Sequence, residues 1–133
     1  MKNTLLTSLF LLVGLAMQAQ DEIIIDGKVT NVKDGLIVSL FRRDGRVGST
    51  IATDTIENGK FYFNVKPEKE LDKLSLFVHS TDFPSMSREV YATPNAYIQV
   101  NGKDNLIYTW EVESNVKEQK ESDRYLYAAK DLW

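Results

Sequence analysis

Asn58-Gly59, set between Ile56 and the alternating run Phe61, Phe63, Val65, is the stretch that most narrows what this chain can fold into. A two-residue loop joining two strands follows their twist best when both loop residues take positive φ. Asn and Gly tolerate this and most residues do not. Beyond the loop, Phe61, Phe63 and Val65 share one face and Tyr62 and Asn64 the other, the period of a half-buried strand. Pro67 lacks a backbone donor and ends the run. Ahead of the loop, "STIATDTI" alternates more weakly.

The same grammar recurs along the chain. Strands are expected over 22–30, 36–43, 49–56, 60–66, 72–80, 88–93, 96–102 and 105–113. Asp34-Gly35 reads as a second hairpin dipeptide, and "DGRVG" (44–48), "TPN" and "GKDN" as further turns, with "TDFPSMS" (81–87) a loop. The 36–43 run is apolar on both faces for most of its length, as a central strand would be. Short strands separated by Gly, Asp and Asn turns, with no helical pattern between them, predict an all-β fold. The expected form is a small antiparallel β-sandwich, transthyretin-like or carbohydrate-binding-like. After Ser114 the alternation stops. Residues 115–131 read as a helix, with Asn115 and Glu118 spaced like a capping box. Its apolar arc is Tyr125, Leu126, Ala128, Ala129, Leu132 and Trp133, predicted to pack on the sandwich with Tyr125, Leu126 and Trp133 as anchors.

The first 19 residues read as a secretory signal peptide: Lys2, an apolar core over Leu5–Ala16, and small residues near Ala19. That core is about a dozen residues, short of the roughly 20 a spanning helix needs, so a retained anchor is disfavoured. The expected organisation is a leader over 1–19, a β-sandwich over 20–114 and a helix over 115–133, with the protein exported to the periplasm or cell surface. The chain has no cysteine. That excludes disulfides, thiol redox chemistry, thiolate metal sites and a lipid anchor on a leader cysteine. There are 16 basic and 19 acidic residues, and the leader contains only Lys2, so the mature chain carries 15 against 19, a net charge of −4. That balance argues against nucleic acid or an anionic membrane as partner.

"IDGKVTNVKDGLIVSLFRRDG", "ATDTIENGKFYFNV" and "YATPNAYIQVNG" together resemble a bacterial domain of unknown function. That domain is found as the N-terminal β-domain of exported thioredoxin-like thiol–disulfide oxidoreductases. The resemblance rests on Gly27, on Asp54-Thr55 with Asn58-Gly59-Lys60-Phe61, and on the Pro94–Gly102 segment. It covers residues 22 to about 127. It implies an accessory β-domain with no catalytic residues of its own. The family's catalytic domain carries a C-x-x-C motif, and no residue of this chain corresponds to it, so redox activity does not carry over.

The residues alone add little chemistry. His79, the only histidine, is in phase with Ser75 and Phe77, opposite the Leu74/Leu76/Val78 face. Without a placed carboxylate or nucleophile it reads as a strand histidine and not as a catalyst or zinc ligand. Asp26, Asp34, Asp44, Asp54 and Glu57 are scattered, and those beside turns read as caps. Arg42, Arg43 and Arg46 crowd one turn, either a solvated hairpin end or an anion site. Tyr62, Tyr91, Tyr97, Tyr108 and Trp110 lie on predicted strands, either completing the core or forming a platform. The expectation is a non-catalytic binding or protein-interaction module without a cofactor. Its partner is expected to be a protein or a saccharide, met through Tyr108, Trp110, Tyr97, Arg42 and Arg43. The alternatives are a small carbohydrate-binding module and a fragment of a thiol–disulfide oxidoreductase.

Overall fold

The computed structural model describes residues 21–129. The expected leader and the expected helix residues Leu132 and Trp133 lie outside them. Eight strands form: β1 Ile23–Val29, β2 Ile37–Asp44, β3 Val47–Thr55, β4 Lys60–Val65, β5 Asp72–His79, β6 Arg88–Ala92, β7 Tyr97–Gly102 and β8 Glu111–Glu113. One helix follows, α1, Lys117–Ala128. The strands make two four-stranded sheets, ordered β4-β1-β7-β8 and β3-β2-β5-β6. Every pairing between strands is antiparallel except β1 with β7. The fold is the all-β sandwich with a C-terminal helix that the turn spacing predicts.

Alternation builds the core. Ile23, Ile25, Phe61, Phe63, Ile98 and Val100 point inward from the β1 sheet. Val38, Leu40, Leu74, Leu76, Val78, Val90 and Ala92 meet them from the β2 sheet. Trp110 is wholly buried, stacked on Phe61 with ring centroids 6.0 Å apart and edge-on to Phe83 at 6.1 Å. Burial of so many large apolar side chains, each contributing about 1.5–3 kcal/mol, supplies the stability that disulfides supply elsewhere.

Asn58 and Gly59 take φ of 53° and 71°, both positive as the dipeptide demands. Yet the strands they join do not stay paired. Only Glu57 and Lys60 bridge, and β3 and β4 then part into different sheets. Side chains and crossing backbone fill the gap. The Asp54 carboxylate accepts from the Tyr62 amide at 2.8 Å, and the Asp34 carboxylate from the Asn58 and Gly59 amides at 3.1 and 3.3 Å. Val29 N–H donates to the Gly59 carbonyl at 2.7 Å. Asp34-Gly35 is therefore a turn but not a hairpin: it carries the chain from the β1 sheet to the β2 sheet. Hydrogen bonds from Gly35 N–H to the Ile56 carbonyl and from Ile56 N–H to the Leu36 carbonyl clasp it to the other crossing. The hairpin at 44–47 is genuine, with Asp44 opposite Val47 and Gly45 at φ 64°.

Two expectations need correction. The predicted strand over 105–113 is a 3-10 turn, Ile107–Thr109, followed by the three-residue β8. Ile107 and Trp110 are both buried and three residues apart, a turn spacing and not an alternation. The helix is also anchored differently. Its N-cap is Val116 without a side-chain cap bond, and Asn115 plays no capping role. Tyr125 is 75 % exposed, while the buried helix residues are Gln119 and Asp123.

Candidate functional site

The outer face of the β2 sheet carries an open groove of about 760 Å³. Its floor follows from strand period. With Leu40 and Leu76 inward, Phe41 on β2 and Ser75, Phe77 and His79 on β5 face outward. The three rings form a column: Phe41 and Phe77 meet edge to face at 6.4 Å, Phe77 and His79 at 5.1 Å. His79 Nε2 lies 2.6 Å from Ser39 Oγ, which fixes the imidazole. One wall is the β2–β3 hairpin, with Arg43, Gly45, Arg46 and Gly48. The other is Ser85, Met86 and Ser87 of the β5–β6 loop. On β3 an extra residue, Ile51, breaks the register opposite Leu40 and Phe41, a bulge that increases the local twist beside the groove.

Two features of the groove lack an internal explanation. Ser75 is 3 % exposed, and its hydroxyl has no hydrogen-bond partner among the described residues. A buried hydroxyl left unbonded costs about 1–3 kcal/mol. Arg43 and Arg46 make no ion pair among the described residues, although the chain is acidic overall, at −3. A second hollow of about 230 Å³ shares Arg43, Gly45 and Ser75 with the groove and adds Lys73, Glu89 and Tyr91.

The five expected site residues are not brought together. Trp110 is a core residue and offers no platform, because the turn that carries it inserts its ring beside Gly102. Tyr108 is half-buried on that same turn. Arg42 is committed to the fold. Its guanidinium meets Asp72 at 3.2 Å, Glu68 at 3.4 Å and the Lys66 carbonyl at 2.7 Å, while Asp72 also accepts from the Glu68 amide at 2.9 Å. The bundle closes the end of the sandwich. Only Arg43 reaches the groove. Tyr97 stands on the outer face of the β1 sheet, 53 % exposed, with its hydroxyl donating to Asp26 at 2.9 Å. That bond, with some burial and the Asp26 charge, raises the Tyr97 pKa above the ordinary tyrosine value. Tyr62 is exposed on the same face.

The carboxylates mostly serve the backbone, as at Asp34 and Asp54, or pair on the surface, as Asp44 does with Lys69 at 3.1 Å. Among the described residues no three His, Asp or Glu side chains gather into a group that could hold a metal ion. Nor is any described helix long and apolar enough to cross a membrane. The groove residues that composition passed over are Phe41, Ser75, Phe77, His79 and Met86. The 75/77/79 phase placed three of them on one outward face, but only tertiary structure adds Phe41 and the two walls.

No known protein family, curated protein or solved structure matches the chain. The resemblance to the accessory domain of thioredoxin-like proteins therefore rests on its quoted residues alone.

Proposed function

We propose that the chain is an exported, non-catalytic binding module, and that the groove on the outer face of the β2 sheet is its ligand site. The observation that carries this is the groove's lining: an aromatic floor of Phe41 and Phe77 beside Arg43 and Arg46, which make no ion pair among the described residues. The groove volume is in the range of ligand sites, about 300–1,000 Å³. Against catalysis, Ser39 is the hydroxyl held by His79, and it is 2 % exposed, out of a substrate's reach. Export rests on the leader over 1–19. Kinship with the thioredoxin-associated accessory domain belongs to the same proposal.

The second reading is a carbohydrate-binding module. It is favoured by Tyr62 and Tyr97, both about half exposed on the β1 sheet with Asp26 between them. Saturation-transfer NMR of the mature protein against pools of neutral oligosaccharides, amphipathic acids and short peptides separates the two. The groove reading expects acids or peptides to bind, and Phe77→Ala to abolish the signal. Binding of oligosaccharides alone, lost in Tyr97→Ala and kept in Phe77→Ala, overturns it.

A further inference from the structure

Resting on the groove as the ligand site, we infer its ligand class: an extended acidic peptide. Its carboxylate would lie on Arg43 and Arg46, and a neighbouring apolar side chain against Phe77 and Met86. Three observations converge. First, the groove is locally basic on an acidic protein. Arg43, Arg46 and, in the adjoining hollow, Lys73 face Glu89 as the single acid among the lining residues. A guanidinium presents a planar fork that matches a carboxylate with two charge-assisted hydrogen bonds. Second, the apolar wall is real and accessible: Met86 is 49 % exposed, beside the Phe41–Phe77 pair. Methionine adapts to differing apolar partners, and aromatic rings give contact area with little entropy to lose.

Third, the hollow is an open trough that adjoins a second one, the two sharing Arg43, Gly45 and Ser75 as lining. A compact small molecule is held by enclosure, with most of its surface buried. An open trough instead suits a chain that lies along it and gains affinity from successive contacts. The peptide bridges the cationic end and the aromatic end, which are separate features of the same face.

The test is fluorescence anisotropy with full-length mature protein and dye-labelled Glu-Phe-Glu and Lys-Phe-Lys peptides, with 3-phenylpropionate as a competing small acid. The acidic peptide is expected to bind, and to weaken by about tenfold or more in Arg43→Glu and in Arg46→Glu, since each removes a charge-assisted contact and adds a repulsive one. Arg124→Glu, on the exposed side of α1, is expected to leave binding unchanged and controls for net charge. Rising salt is expected to weaken binding of the acidic peptide. If Lys-Phe-Lys binds equally well and Phe77→Ala abolishes both, the groove stands and the acidic class is wrong. If 3-phenylpropionate displaces the peptide at equal concentration, the ligand is a small amphipathic acid and the peptide assignment falls. If neither peptide binds in any salt, the inference is overturned. Failure of the groove itself is a separate result: binding of the acidic peptide that Arg43→Glu and Phe77→Ala both leave intact.

Discussion

Gly27 faces Phe61 directly across the β1–β4 ladder, and a Cβ added there would come within 2.2–2.5 Å of three Phe61 ring carbons. The same ring is stacked on the buried Trp110, which restricts how far it can shift. Gly27→Ala is therefore expected to destabilise by about 1–3 kcal/mol, the usual cost of overpacking a filled core. A shift in the urea midpoint checks this, and an unchanged midpoint would place Phe61 elsewhere. Gly59 is constrained twice, by φ of 71° and by the Val29 carbonyl lying where a Cβ would stand. Gly59→Val is expected to cost at least about 1–3 kcal/mol, whereas Glu57→Ala, exposed at the same turn, should cost little. Tyr97 gives a spectroscopic handle. Its hydroxyl bond to Asp26 favours the neutral phenol, so the folded protein holds that proton more tightly than the unfolded chain. The stabilisation is present below the ordinary tyrosine pKa and is lost as pH rises through the raised one. In ultraviolet titration, Asp26→Asn should move one tyrosine downward while the others stay in place.

At the scale of elements, the helix was the least legible part of the sequence, and the reason is physical. A helical wheel seeks an apolar arc, but α1 lies over β6, an edge strand whose outward backbone groups need polar partners. Gln119 supplies them as a neighbouring strand would. Its carboxamide oxygen accepts from Tyr91 N–H at 2.7 Å, and its amide nitrogen donates to the Glu89 carbonyl at 3.3 Å. One turn on, Asp123 lies 2.9 Å from the buried Arg88, whose Nε donates to the Trp110 carbonyl at 2.7 Å. Asp123→Leu leaves that guanidinium buried without its counter-charge and is expected to cost about 3–5 kcal/mol by denaturant melt. Adding Arg88→Met should recover part of the loss and not all, since the Trp110 carbonyl then goes unpaired. Deleting 115–133 is expected to free the β6 edge and produce self-association in sedimentation analysis. A truncated chain that stays monomeric at the parent's stability would contradict the edge-cap role. The first seven strands, by contrast, were legible to within about two residues, because turn dipeptides and alternation are local. Their allotment to sheets was not. Nothing in Asn58-Gly59 says that β3 and β4 separate just past the turn, a choice made by Asp54 and Asp34 supplying the hydrogen bonds that a continuing ladder would have made.

For the whole molecule, the residues behind the family resemblance turn out to have structural work. Gly27 admits Phe61, Asp54 bridges the parting strands, Asn58-Gly59 turns between the sheets, and Asn95 takes φ of 66° in the turn before β7. They specify a sandwich and do not point to a ligand. The groove is made of other residues, and strand period showed only one of its strands, since the pairing of β2 with β5 that brings in Phe41 and the Arg43 hairpin, and the path of the loop that carries Met86, are not local in the sequence. The proposed division is thus between a core that any member of such a fold would need and an outer face of the β2 sheet adapted to bind. Proton–nitrogen correlation NMR of the protein titrated with the Glu-Phe-Glu peptide tests this most directly. The expected result is saturable shifts confined to the amides of Phe41, Arg43, Ser75, Phe77 and Met86, with the His79 imidazole moving alongside. Shifts centred on Tyr62 and Tyr97, on the opposite sheet, would contradict it.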